Sequence, residues 1–452
     1  MARTLLIRNA RIVVTMDATR QEIADGAVFI RGHVIDQVGS TSALPQTADE
    51  VIDATDHVVL PGLINTHHHM FQSLTRAVPA AQDAGLFGWL QQLYPLWSKL
   101  TAEMVHASTL TAMAELMLSG CTTTSDHLYL FPNNCRLDDS IEAAGDIGMR
   151  FHAARGAMSL GQSAGGLPPD HLVESEAAIL EDMQRVVDCF HDGRRYAMQR
   201  VVLAPCSPFT VSPDLMRETA ALARSLKVSM HTHLAENQHD VDYCLERHGM
   251  TPAQFAESCG WVGPDVWHAH CVKLDDDGIA LFGRTGTGVA HCACSNMRLG
   301  SGIAPIGRMR AADVPVGLGV DGSASSDAGH LLGEVRQAML LQRVGFGADA
   351  MTARQALEMA TIGGARVLNR DDIGVLAPGM AADVVLFDME QIGYAGAQQD
   401  PVAALVFCTP STVACSIIDG KVVIRDGQLL TVDVDQVRRR HNRLAKELLA
   451  GN

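Results

Sequence analysis

No stretch of this 452-residue chain approaches the ~20 consecutive apolar residues that a bilayer-crossing helix needs, which excludes a membrane span of that kind. The opening residues, MARTLLIRNARIVV, are short apolar stretches cut by Arg3, Arg8 and Arg11, so they read as neither a signal peptide nor an anchor. Basic residues are in short supply. The 35 Lys and Arg face 51 Asp and Glu, and the formal net charge of −16 repels phosphate backbones, excluding nucleic acid as a partner. A disulfide framework is also missing: the 11 cysteines are scattered and odd in number, as expected of reduced thiols in a cytoplasm. Tandem repeats and low-complexity tracts are absent too. What is present is a composition 47% hydrophobic and 19% charged, enough to bury a large core and incompatible with disorder. The length fits two or three domains, or one large barrel with an appendage.

The two ends share a texture. LLIRNARIVV, GAVFIRGHVIDQVG and VIDATDHVVL near the start, and ADVVLFDM, ACSIIDG and KVVIRDGQLL near the end, are short β-branched runs divided by turn residues. They point to one small β-domain assembled from both termini. The middle alternates helical-period stretches (101–119, 174–190, 213–226, 331–344, 352–368) with apolar runs near 58–66, 121–126, 148–154, 199–205, 227–233, 265–270, 287–291 and 314–320. Eight such runs over about 300 residues are the arithmetic of a (β/α)₈ barrel. The expected fold is α/β: a barrel over 61–368 and a small β-sandwich domain over 1–60 and 369–452, the latter ending in a helix.

Side chains suited to metal binding gather where these strands end. The first runs into His67-His68-His69, where a two-residue period puts His67 and His69 on one face and turns His68 away. The fifth ends in His231-Thr232-His233 with Glu236 following, the sixth in His268-Ala269-His270, the seventh in His291 and the eighth in Asp321. Catalytic groups of such barrels sit at the C-terminal strand ends, so these positions converge on one mouth. Imidazoles with one carboxylate suit Zn²⁺ or Fe²⁺ and leave a position open for water. His33, His57, His239 and His248 read as loop or surface residues, and Cys292-Ala293-Cys294 as buried thiols.

These motifs, with PGLINTHHH, HTHLAE, AHCACSN and GVDG, resemble the amidohydrolase superfamily over nearly the whole chain. Within it, HHHMFQSLTRA, SDHLYLFP and LAPCSPFTVS are most similar to the nucleobase-deaminase and triazine-hydrolase branch, above all its 8-oxoguanine deaminases. The resemblance implies His67, His69, His233 and Asp321 as ligands of one divalent metal, Zn²⁺ with Fe²⁺ as the alternative, and places His270 beside it. Binuclear members bridge two metals through a modified lysine on strand four. The segment Val201–Cys206 has no lysine, so one metal is expected.

Glu236, three residues after His233, is assigned as the proton shuttle between water and a ring nitrogen. Asp321 doubles as ligand and second base, and His270 stabilises the negative charge that develops. Four residues are candidate substrate contacts, each with a structural alternative. Gln72 can read a purine edge or cap a loop, and Arg155 can hold carbonyl oxygens or pair an acid at the rim. Cys206, where nucleoside-deaminating relatives have a His, can face the substrate or merely pack. Trp97 stands where those relatives carry a ribose-gripping Glu, and is either an aromatic lid over a free base or a core residue.

The expected activity is hydrolysis of 8-oxoguanine to urate and ammonia, with guanine or a chloro- or amino-substituted s-triazine as the alternative substrate. A non-catalytic scaffold would lack ligands or the shuttle acid, and all are present. The expected partner is a small nucleobase, with a homo-oligomer left open.

Overall fold

The computed structural model describes residues 2–450. Eight parallel strands close into a barrel: Leu63–Asn65, Cys121–Leu128, Arg150–Ala157, Gln199–Pro205, Ser229–Leu234, Val266–His270, Gly288–His291 and Val316–Leu318. They are called barrel strands one to eight below, and strand eight pairs back onto strand one through Leu318 and Asn65. Strands two, three and six are buried at every residue, as parallel strands covered by helices must be.

All eight expected strands are found, but the first is divided. His57–Pro61 belongs to the terminal sheet, and the barrel begins only at Leu63. The break is at Gly62, where a β-carbon would come within 2.0 Å of Thr122 Oγ1. Only glycine lets the chain pass from one sheet to the other there.

Ile64, Ala154, Val202, Ala204, Trp267 and Ala290, from five barrel strands, pack together in the barrel interior. The two-residue strand period then sends their neighbours Arg155, His268 and His291 outward. Several helices between strands start on side-chain caps. Thr101 Oγ1 accepts from Met104 N, Ser175 Oγ from Ala178 N, and Ser212 Oγ from Leu215 N just ahead of Pro213 at the first helical position. Among the described residues no helix is long and apolar enough to cross a membrane.

Strands from both termini share one nine-stranded sheet. Its seam is Val384–Asp388, antiparallel to His57–Pro61, which runs parallel to Thr4–Val14. The closing helix Val434–Leu449 lies against Ala102–Leu118 of the barrel layer. Sheet and barrel are joined by a buried ion pair. Arg150, opening barrel strand three, gives Nε and Nη2 to the two oxygens of Asp383 at 2.9 and 3.0 Å, and Asp383 Oδ1 also accepts from Asp419 N.

Removing one partner of such a pair strands a buried charge, typically costing about 3–5 kcal/mol. Asp383→Ala should therefore lower the unfolding free energy by roughly that amount in urea, with Asp383→Asn between it and wild type. A loss under ~1 kcal/mol for Asp383→Ala would mean the pair does not hold the two parts together.

Candidate active site

The barrel mouth is assembled by hydrogen bonds between neighbouring strand ends. Thr66 N and Oγ1 both donate to Leu318 O, Asn65 Oδ1 accepts from Val320 N, and Asp321 N donates to His67 O. The segment after strand one is thus tied to the segment after strand eight, which brings His67 and His69 up to Asp321. His270 and Asp321 adopt left-handed backbone conformations, φ +70° and +61°. This breaks the strand alternation and turns both side chains into the site. His and Asp tolerate that region better than most residues.

Four side chains converge. His67 Nε2 and His69 Nε2 lie 3.3 and 3.5 Å from Asp321 Oδ1, and His69 Nε2 lies 3.0 Å from His233 Nε2. The other nitrogen of each ring fixes its tautomer. His69 Nδ1 donates to His127 O at 2.7 Å and His233 Nδ1 to Cys206 O at 2.6 Å. His67 Nδ1 meets His231 Nε2 at 2.7 Å, while His231 Nδ1 donates to Trp267 O at 3.0 Å. A carbonyl can only accept, so all three rings turn an unprotonated Nε2 toward Asp321.

Two lone pairs 3.0 Å apart repel, so the His69–His233 contact is not a hydrogen bond. His67 Nε2 is buried with no hydrogen-bond partner among the described residues. Three convergent lone pairs and a carboxylate oxygen fit a divalent cation. The charge states agree. Burial pushes the pKa of His67 well below its usual value, that of His69 down, and that of His233 to about 3. The Asp321 carboxyl lies well below the usual carboxylate range despite its burial, as expected of a group set to face positive charge.

Glu236 stands between barrel strand five and the helix Gln238–His248. Ala235, at φ +51°, turns the chain there, and Glu236 N donates to Asp240 Oδ2 at 2.8 Å. Burial, then the charges of Asp240 and Asp321, push the Glu236 carboxyl well above its usual range. His270 Nδ1 faces Asn296 Oδ1 at 3.0 Å, while Nε2 lies 3.7 Å from Glu236 Oε2 and 3.9 Å from Asp321 Oδ2.

These groups floor a cavity open to the surface. Leu86, Trp89, Leu90 and Tyr94 of the helix Leu86–Trp97 line it together with Tyr129, Phe209 and Leu299, and Gln72, Cys206, Ser207, Thr210 and Ser325 supply polar atoms. Gln72 Nε2 donates weakly to Tyr129 OH at 3.4 Å, while its buried Oε1 has no partner among the described residues. The Gln72 amide rests on Gly322, where a β-carbon would come within 1.8 Å of Oε1.

Gln72 and Cys206 therefore lie where substrate contacts were expected, and two other expectations are corrected. Arg155 is not in the cavity lining. It points out of the barrel, where Nε meets Asp182 at 2.6 Å, Nη2 meets Glu174 at 2.8 Å, and the guanidinium covers the Phe131 ring. Its neighbour Ala154 holds the inward position. Trp97 is a core residue, its Nε1 donating to Thr75 Oγ1 at 3.1 Å and its ring set among Phe71, Trp89 and Tyr94. The aromatic groups that do face the cavity are Trp89, Tyr94, Tyr129 and Phe209.

Sequence reasoning missed His231 as the group orienting His67, although its spacing from His233 equals that of His67 from His69. It also missed Ser325, whose Oγ donates to Asp321 Oδ2 at 3.1 Å, and Asp126, whose Oδ1 accepts from Met70 N at 2.7 Å just past His69. His268 stacks outside the barrel on Phe282, and the 11 cysteines are free.

Residues 58–423 match the amidohydrolase family. The chain is 42% identical to an 8-oxoguanine deaminase of Pseudomonas aeruginosa, covering 100% of both chains. It is 36% identical to an isoxanthopterin deaminase of an unknown prokaryotic organism, covering 98% of this chain and 97% of that one. The solved structure of a zinc-complexed atrazine chlorohydrolase from Arthrobacter aurescens TC1 superposes with a TM-score of 0.94 at 32% identity, covering 98% and 100% of the two chains.

With no lysine on barrel strand four to bridge a second ion, elemental analysis of protein purified without added metal should give about one divalent ion per chain. His67→Ala and Asp321→Ala should each lose most of it. A reproducible ratio of two, with both ions needed for activity, would contradict the single-ion site.

Proposed function

We propose that this chain, which belongs to the amidohydrolase family and is a hydrolytic deaminase, acts on a free oxidised purine base, converting 8-oxoguanine and water to urate and ammonia. The observation that carries this reading is the full-length 42% identity to an 8-oxoguanine deaminase. The cavity supports it: aromatic walls over the charged groups, with the Gln72 amide in the lining. The wall formed by Leu86, Trp89 and Leu90 carries no carboxylate to hold a ribose, which favours a base over a nucleoside.

His67, His69, His233 and Asp321 would hold the metal, for which three imidazoles and one carboxylate favour Zn²⁺, and which when bound lowers the pKa of water from ~15.7 toward ~7. Glu236, whose raised pKa suits it to both states, accepts a proton from the attacking water and delivers it to a ring nitrogen, removing the aromaticity of the attacked C–N unit. His270 brings its ring edge into the gap between Glu236 and Asp321, beside the oxygen that gains charge as water adds. Asp321 then accepts the remaining proton of the added hydroxyl and passes it to the amino group, which leaves as ammonia as the C–N bond breaks and the carbonyl forms. Asn296 holds the far side of the His270 ring and thereby its orientation.

Oxidation turns C8–H of guanine into a carbonyl and puts a proton on N7. The Cys206 thiol, in the cavity lining, can answer that edge without the bulk of an imidazole. Hydrogen-bonded edges discriminate by up to 10⁴–10⁵-fold when the wrong base leaves buried groups unpaired.

Two measurements follow. Glu236→Gln should retain its metal but lose about 10²–10⁴-fold in kcat, the usual worth of general acid–base catalysis. Near wild-type turnover would assign the shuttle elsewhere. In a substrate panel, kcat/KM for 8-oxoguanine should exceed that for guanine at least about tenfold, with guanosine and adenosine poorer still. Equal values for the two bases would remove the selectivity, and faster turnover of an s-triazine would make the protein a triazine hydrolase.

A further inference from the structure

Barrel strand two ends in a histidine that neither the four-residue ligand set nor the proton route uses. His127 is fully buried, and its backbone is clamped: N donates to His68 O at 2.8 Å, and O accepts from His69 Nδ1 at 2.7 Å. The side chain reaches across the barrel to strand four, where Nε2 lies 2.7 Å from Ala204 O. A carbonyl only accepts, so Nε2 carries the hydrogen and Nδ1 of the neutral ring carries a lone pair. That Nδ1 is sealed from solvent and has no hydrogen-bond partner among the described residues.

A ring nitrogen of His127 lies within 4.8 Å of ring nitrogens of His67, His69 and His233. The ring is stacked against His233, centroids 5.1 Å apart and planes 25° from parallel, which holds it in place. A buried acceptor with no donor is destabilising. No hydrogen-bond donor reaches it among the described residues, and the three neighbouring imidazoles also turn lone pairs inward. A cation shared with them would satisfy His127 as it satisfies them.

We propose that His127 is a further nitrogen donor of the metal centre, on its strand-four side. The proposal rests on the reading that His67, His69, His233 and Asp321 hold a divalent ion, and adds a protein ligand from barrel strand two. It also gives the missing strand-four lysine a physical counterpart: an imidazole from strand two fills that side of the cluster.

The test uses the full chain, stripped of metal and reloaded with Co²⁺, comparing wild type with His127→Phe, which keeps a ring to stack on His233 but has no nitrogen. His127→Gln serves as the second variant should His127→Phe not fold. Co²⁺ affinity is measured by competition with a chromogenic chelator, and donor number by the intensity and position of the visible Co²⁺ bands. The expected result is binding weakened about 10–100-fold or more, together with a changed spectrum. Affinity within twofold of wild type and an unchanged spectrum would overturn the proposal. Weaker binding with an unchanged spectrum would overturn it as well, since His127 would then only pack against His233. If wild type itself fails to take up Co²⁺, the ion on which the proposal rests is gone, a result that the variants cannot mimic.

Discussion

Imidazole rings buried side by side face a constraint that shapes everything around them. If protonated they repel as charges, and if neutral they aim lone pairs at one another. Here burial keeps His67, His69 and His233 neutral, and the Nδ1 of each is committed elsewhere, to a backbone carbonyl or to His231. The Nε2 atoms have only one another and Asp321. That arrangement is unfavourable for the bare protein and favourable around a cation, so much of the barrel mouth works to hold it. Thr66 and Asn65 tie strand one to strand eight, and the carbonyls of Trp267, Cys206 and His127 set the tautomers.

The same arrangement sorts the carboxyl groups. Asp321 and Glu236 share one cavity and burial raises both, yet Asp321 lies well below the usual carboxylate range while Asp240 and Asp321 drive Glu236 upward. Two acids whose environments push them apart can divide the work of ligand and proton carrier. The proposed roles follow from that separation, and the aromatic walls decide which ring is brought to it.

Much of this was legible in the sequence because strand ends write a two-residue code. His67 and His69, and likewise His231 and His233, are spaced as same-face neighbours, and the barrel brings the ends of successive strands together. The code fails at two residues. His270 and Asp321 turn inward through left-handed backbone, which no periodicity announces. Arg155 was expected to face substrate, but strand alternation gives the inward place to Ala154 and sends the guanidinium to Glu174 and Asp182. Trp97 fails for another reason. It closes a helix whose earlier turns, at Leu86, Trp89, Leu90 and Tyr94, reach the cavity, and only tertiary packing determines that its indole reaches Thr75 instead. The division of the expected strand 58–66 at Gly62 likewise depends on how closely Thr122 approaches.

The central claim is that one cation organises this mouth from a fixed position, and anomalous diffraction tests it most directly. Crystals of protein grown with Zn²⁺, measured on both sides of the zinc absorption edge, should give a single strong anomalous peak per chain, enclosed by Nε2 of His67, His69 and His233 and by the Asp321 carboxylate. A peak centred elsewhere, no peak among those atoms, or a second peak of comparable strength beside the first would contradict the account.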